Sequence, residues 1–240
     1  MKILIATCKK YYPVAAKTCK SISEHLKNFE IVLISDEGTP MLDYVENIRH
    51  KKDIGWNAMI KKYLENNDME KVIIWMDDLI IKSKIDDYAL DYAIKVVLKN
   101  DLDYLSLYQP PARKLVDAIQ SDFKPKNTLI NDRYPISTMC SIFSRNMLLE
   151  LLREDESPWE FEKNAKSRIG LQFKISQLGF NIVDIKNVIS KGKIVKWRFN
   201  EKIDGFKHQS SLESLLYKLQ MSYNFFKQLS IKDFFNFLFK

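Results

Sequence analysis

Lys71-Val72-Ile73-Ile74-Trp75-Met76-Asp77-Asp78 is the stretch on which the fold turns. An apolar run with no polar alternation reads as a strand buried on both faces, the pattern of a parallel sheet. Two adjacent carboxylates follow it at once. Just upstream, Trp56, Met59, Ile60, Tyr63 and Leu64 recur at i, i+3, i+4, i+7 and i+8, which predicts a helix packed on that sheet. Asn66-Asn67-Asp68 ends the helix.

The same alternation extends in both directions. Toward the N-terminus, residues 2–6 (KILIA) and 31–34 (IVLI) read as two more buried strands. Between them Pro13 can open a helix whose face is Ala15, Ala16, Cys19, Ile22 and Leu26. Ser35-Asp36-Glu37-Gly38 supplies turn chemistry after the second strand. Toward the C-terminus a helix is expected over 86–98 and a strand near 103–108. Residues 110–137, with Pro110, Pro111, Pro125 and Pro135, read as loops and short strands shaping a cleft. Helices are expected near 145–153 and 158–177, and short strands near 181–185 and 188–197. The expectation is therefore an α/β fold with a mostly parallel, doubly wound sheet over residues 1–205 and a helical extension over 206–240. Such sheets bind ligands at the carboxyl ends of their strands, here the loops after Ala6, Ile34 and Met76.

Composition narrows the function classes. The chain is 46% hydrophobic and 12% aromatic, enough for a sizeable core and unlike a disordered chain. No apolar run approaches the roughly 20 residues of a membrane span, and the opening strand lacks the plan of a signal peptide. A cytoplasmic location is expected, with peripheral contact at the inner face of the cell membrane as a further option. Cys8, Cys19 and Cys140 have no metal-ligand spacing and read as reduced packing residues. The formal charge of +7 attracts phosphates, nucleic acid or anionic lipid alike. No basic element before the C-terminus is concentrated enough to suggest nucleic acid. GxGxxG, GxxxxGK[ST] and GxSxG are all absent, which argues against dinucleotide, P-loop and α/β-hydrolase chemistry.

Three features can carry chemistry or contact. Asp77-Asp78 reads equally as a solvated turn or as a divalent-metal site beside a diphosphate. Ser157-Pro158-Trp159-Glu160-Phe161-Glu162 opens a helix, with Glu160 completing a capping box on Ser157. Trp159 and Glu162 share a face there, an aromatic platform beside a carboxylate, as a sugar hydroxyl and its general base require; core and surface roles explain them as well. Finally, Leu212, Leu215, Leu216, Leu219 and Tyr223 form a helical stripe, followed by six phenylalanines with lysines among them. Docking on the core or on a second subunit accounts for the stripe, and so does an interfacial helix.

Four blocks in order resemble bacterial GT-A glycosyltransferases acting on surface polysaccharides such as lipooligosaccharide and capsule. They are KILIATCKKY (2–11), IVLISDEG (31–38), GWNAMIKKYLENNDMEKVIIWMDDLII (55–81) and YPISTMCSIFSRNMLLELLREDESPWEFE (134–162), with Lys191-Gly192-Lys193 further on. The resemblance implies a nucleotide-sugar donor and a saccharide or lipid-linked saccharide acceptor, with no nucleic-acid partner. It places Thr7, Cys8 and Asp36 at the base and ribose, and Trp56 and Asn57 in or behind the nucleotide pocket. Asp78 would bind Mg²⁺ or Mn²⁺ on the diphosphate, with Asp77 toward ribose or metal. Glu162 would be the base of an inverting displacement, and Trp159 and Glu160 would lie on the acceptor side. Met76 occupies the first position of the acidic triplet, so one-carboxylate and two-carboxylate metal sites both stay open, as do inversion and retention. Two rivals are a sugar-nucleotide nucleotidyltransferase, disfavoured by the glycine-free loop Thr7-Cys8-Lys9-Lys10-Tyr11, and a non-catalytic carbohydrate-binding or scaffold protein.

Overall fold

A computed structural model describes residues 1–83, 85–108, 125–127, 135–178, 181–195, 198–199 and 201–228, with the side chains of 125–127, 177–178 and 221–228 left aside. Strands β1 (Lys2–Ala6), β2 (Glu30–Asp36), β3 (Glu46–His50) and β4 (Lys71–Trp75) form the parallel half of the sheet. Helix α1 (Tyr12–His25) connects β1 to β2, and α2 (Trp56–Glu65) connects β3 to β4. β5 (Leu79–Ile81) follows the acidic pair, and α3 (Asp87–Asn100) leads to β6 (Tyr104–Ser106). After β7 (Pro125–Asn127), β8 (Cys140–Ser144) inserts antiparallel between β4 and β6. Helices α4 (Arg145–Leu151) and α5 (Pro158–Arg168) lead to β9 (Ile175–Leu178), parallel to β6. The eight strands run β3-β2-β1-β4-β8-β6-β9-β7, and four of their seven pairings are parallel.

Side chains alternate across each strand, so one apolar run feeds two cores. Ile3, Ile5, Leu33, Ile73, Trp75 and Ile142 face α1 and α3, packing with Cys19, Ile22, Leu90 and Val97. Leu4, Val32, Ile34, Ile74 and Phe143 face the other way, against Met59, Ile60 and Leu64 of α2, Met147 and Leu148 of α4 and Phe161 of α5. The α/β architecture with helices on both faces is thus as expected. A third, smaller cluster joins Val14 and Ile80 to Val188, Ile189, Ile194, Phe199 and Ile203. Its backbone is β10 (Ile185–Asn187), antiparallel to β5, and the hairpin β11 (Ile189–Ser190) and β12 (Lys193–Ile194).

The structure departs from the sequence reading in several places. The helix expected over 158–177 stops at Arg168, and 175–178 becomes β9. Gly170 follows the helix end, and Asp103 then captures the chain: its carboxylate accepts from the Lys174 backbone N–H at 2.9 Å, and its own N–H donates to the Lys174 carbonyl at 2.8 Å. β3 (ENIRH) shows no apolar run because it is an edge strand. β8 (CSIFS) is interrupted by Ser141, and its 140–144 span runs straight into α4. Most of the 110–137 stretch expected to shape the cleft lies outside the described residues.

The last helix, α6 (Ser211–Gln228), does not dock its leucines on the core of its own chain. Leu212, Leu215, Leu216 and Leu219 are exposed. The chain just before it is tied to the body: Ile194 N–H donates to Lys207 O, and Gln209 N–H to Ile194 O. Cys19 and Cys140 are buried, Cys8 is half-buried, and all three are free thiols. No helix among the described residues is long and apolar enough to cross a membrane.

Candidate functional site

Strands β1, β2, β3 and β4 all end on one edge, where α1 and α2 also begin. Thr7 follows β1, is buried, and anchors through its N–H to Ile34 O at 2.9 Å. Its hydroxyl donates to Asp77 Oδ2 at 2.7 Å. From α1, Thr18 donates to the Asp77 carbonyl, also at 2.7 Å. Asp77 is thereby fixed by two threonines on different elements. Asp78 faces the other way, toward the late hairpins: its carbonyl accepts from Val188 N–H at 3.0 Å, and the Asn187 side chain bonds its carboxylate. Arg198 donates to the Asn187 carbonyl at 3.4 Å and draws Asp78 electrostatically toward its charged form.

Burial raises the proton affinity of both carboxyls, and the Asp77 charge raises that of Asp78 further. Two neighbouring carboxylates in this setting are short of positive charge. Asn187 Oδ1 is buried with no hydrogen-bond partner, so the donor set is Asp78, Asp77 and a spare amide oxygen. All are hard oxygen ligands of the kind Mg²⁺ and Mn²⁺ take, and the residues fit such an ion. No three His, Cys, Asp or Glu side chains among the described residues converge on one point, at the acidic pair or elsewhere. Met76 packs against the core on the α1–α3 face, so a carboxylate in its place would be buried among apolar groups.

Asp36 ends β2. Its Oδ2 accepts from Lys9 N–H at 3.3 Å, while Oδ1 is buried without a partner. His50, its register partner on β3, has a buried, unpartnered Nε2, and burial lowers its proton affinity. Beside Asp36 opens a cavity of about 620 Å³ lined by Lys9, Tyr12, Lys17, Gly38, Thr39 and Lys202, among others. Neither Asp77 nor Asp78 lines it. Cys8 sits between Thr7 and Lys9, and its carbonyl accepts the N–H groups of Tyr11 and Tyr12 to start α1.

Trp56 and Asn57 stand behind this edge. Asn57 is fully buried and donates to Arg153 O at 2.7 Å, tying α2 to the α4–α5 connection. Trp56 packs on Phe161, with ring centroids 6.4 Å apart. Both support the edge.

Glu162 lies on α5, and a single oxygen, Oε1, accepts from Ser137 Oγ at 3.0 Å, Thr138 Oγ1 at 2.8 Å and the Thr138 N–H. Met139, next in sequence, accepts from Met76 N–H at 3.5 Å. Glu162 is thus joined through two short backbone steps to the residue before Asp77, and both carboxylate groups share one sheet edge. Burial raises the Glu162 pKa, against the three hydrogen bonds that lower it. Trp159, one turn earlier, is 79% exposed. Glu160 is engaged elsewhere: its carboxylate accepts from Ser157 N–H at 2.8 Å and Ser157 Oγ at 2.7 Å, completing the capping box.

Thr18, Ser137, Thr138, Asn187 and Arg198 escaped the sequence reading, and His50 reads there as one of three scattered, incidental histidines. Only Thr138 carried a local signal, as the residue two before an apolar run. Asn187 and Arg198 reach the site through the β5–β10 pairing, a hundred residues away in sequence from Asp78.

No protein-family model matches the chain, and no curated protein sequence matches it. Solved structures do share its fold. The mannosyltransferase PcManGT of Pyrobaculum calidifontis, in complex with GDP-Man and Mn²⁺, superposes with a TM-score of 0.51 over 82% of this chain and 59% of that one, at 12% identity. TarS of S. aureus gives 0.52 over 80% of this chain and 37% of that one, at 17% identity. This chain therefore spans less than two thirds of either neighbour. What is shared is the architecture: a mixed α/β fold with a mostly parallel central sheet flanked by helices, like that of these GT-A-like neighbours.

Proposed function

We propose that the protein is a glycosyltransferase that moves a sugar from a nucleotide-sugar donor to a saccharide acceptor. The observation that carries this reading is the shared sheet edge, where an under-compensated carboxylate pair and a separate, hydrogen-bonded carboxylate sit on opposite sides of the β4–β8 seam. Glycosyl transfer needs that division: one group meets the leaving diphosphate, another the incoming hydroxyl.

In this reading the nucleotide enters beside Asp36, where Lys9, Lys17 and Lys202 give the cavity wall a basic character suited to an anionic ligand. Asp78, with Asn187 Oδ1 and supported by Asp77, would hold Mg²⁺ or Mn²⁺, which would supply positive charge to the departing diphosphate. Thr7 and Thr18 keep Asp77 in place, and Arg198 adds a fixed positive charge at the same end. Glu162, its orientation set by Ser137 and Thr138, takes the proton from the acceptor hydroxyl in an inverting displacement. Its burial keeps the carboxylate basic enough for that role. Exposed Trp159 offers the acceptor a flat apolar face, and the acceptor belongs to a growing surface polysaccharide.

The test is thermal stability against UDP, GDP and CMP compounds and their sugars, with and without Mn²⁺, on the wild type and Asp78→Ala. Ligands of the folded state raise Tm by mass action. A metal-assisted shift that Asp78→Ala loses supports the reading and names the donor class. No shift with any nucleotide overturns it in favour of a non-catalytic carbohydrate-binding protein.

A further inference from the structure

Helix α6 leaves an apolar face in solvent. Leu212, Leu215, Leu216 and Leu219, at i, i+3, i+4 and i+7, are 65, 53, 56 and 57% exposed. The opposite face is held down. Glu213 bridges to Lys193 at 2.6 Å and caps the helix start by accepting from Ser210 N–H at 2.9 Å. One turn on, the Tyr217 ring lies 5.4 Å from the Arg198 guanidinium. These anchors at 213 and 217 fix the rotation of the helix and keep the leucines outward. A contiguous exposed apolar stripe on a folded chain marks a contact surface.

Charge says what covers it. Residues 186–240 contain eleven Lys and Arg against four Asp and Glu, a formal +7, whereas residues 1–185 contain twenty-seven of each. The whole net charge of the protein therefore sits in the segment that carries the stripe. Within α6 the only acid is Glu213, already paired with Lys193. A second copy would cover the leucines but would bring the same +7 with it, so like charges would face each other. Nucleic acid would match the charge but has no use for four leucines in a row. An anionic lipid surface matches both: phosphate headgroups for the lysines, and the headgroup–acyl boundary for the leucines.

We propose that α6 binds the protein to an anionic membrane surface through Leu212, Leu215, Leu216 and Leu219, with the surrounding lysines supplying the attraction. The inference does not rest on the donor-site reading. It does place that site close to the lipid, because Arg198 touches Tyr217 of α6 on one side and the Asn187 carbonyl beside Asp78 on the other.

The test is co-sedimentation of the full chain with phosphatidylcholine vesicles, with and without phosphatidylglycerol, in the absence of nucleotide. Binding is expected to be at least ~10-fold stronger to the anionic vesicles and to weaken as salt is raised. Leu215→Glu with Leu219→Glu should abolish it and leave Tm unchanged, since both side chains are exposed. No sedimentation of the wild type with either vesicle overturns the proposal, whatever the variant does. So does a wild type that is dimeric by light scattering and becomes monomeric in the double variant without ever binding vesicles. Binding to a DNA or RNA oligonucleotide that survives the leucine changes, with no vesicle binding, overturns it in favour of a nucleic-acid surface.

Discussion

The two carboxylate centres on the ligand edge answer the same difficulty in opposite ways. Burial pushes the protons of Asp77, Asp78 and Glu162 toward staying bound. At Glu162 the chain supplies the remedy itself, with three donors from Ser137 and Thr138 on one oxygen. At the acidic pair the remedy is divided and partly undone: Thr7 and a backbone hydrogen bond serve Asp77, and a backbone hydrogen bond, the Asn187 amide and Arg198 serve Asp78, while the Asp77 charge works against Asp78. A site that is already satisfied is built to hold one geometry. A carboxylate pair whose protons stay raised after its own partners are counted is the place where an added cation would matter most.

Four experiments can break or sharpen that contrast. The largest effect is expected at Glu162. Glu162→Gln keeps the oxygen that Ser137 and Thr138 hold but cannot take a proton, so transfer from the donor identified by the thermal-shift panel should fall about 10²–10⁴-fold in kcat. The nucleotide-induced shift in Tm should survive. A variant with full turnover would remove Glu162 from the reaction. Asp78→Asn should cost about 10²–10³-fold in kcat/KM and also erase the Mn²⁺-dependent part of the nucleotide shift. If the two variants lose the same readouts, the division of labour between the centres is wrong.

A smaller effect tests the helix that carries Glu162. Ser157→Ala removes the hydroxyl that accepts from Glu160 N–H at 3.3 Å, and should lower stability by about 1 kcal/mol in denaturant titration. Its effect on kcat should stay within a few-fold, because Glu162 is held from the 137–138 side. A loss as large as that of Glu162→Gln would mean that the cap, rather than Thr138, orients the base.

The smallest effect is a pH dependence. The folded-state pKa of Glu162 is raised, chiefly by burial, so its contribution to stability is fully present below the ordinary carboxylate pKa and is lost as pH rises through the raised value. The wild type should therefore lose Tm relative to Glu162→Gln between about pH 4 and neutrality. Parallel melting curves across that range would show that the three hydrogen bonds outweigh burial.

How much could be read beforehand follows the two halves of the sheet. In the parallel half, 2–6, 31–34 and 72–76 are unbroken apolar runs bounded by turn residues, and each is a central strand within a residue or two. Elsewhere, including the outer edge of that same half, the signal fails for different reasons. β3 lies on the edge and buries too little to look apolar. The end of the helix expected to reach 177 is taken over by Asp103, which is distant in sequence. At the candidate site, Asp77-Asp78, Glu162 and Trp159 were visible in the sequence as candidates beside element ends, and the structure places Asp77-Asp78 after β4 and Glu162 and Trp159 on α5. Glu160 announced its capping box through its spacing from Ser157 alone.

The sequence by itself determined the alternation of buried strands and amphipathic helices, and with it which loops form the ligand edge. Those signals are local: they depend on periodicity, caps and turn residues a few positions apart. Only the tertiary structure decided that β8 would pair antiparallel between β4 and β6, bringing Thr138 and Glu162 to the side of Asp77. It alone brought Asn187 and Arg198 to Asp78, and turned the leucines of α6 outward. These outcomes depend on pairings between segments tens to a hundred residues apart. They are set by how the whole core closes, and no window of the sequence contains both partners.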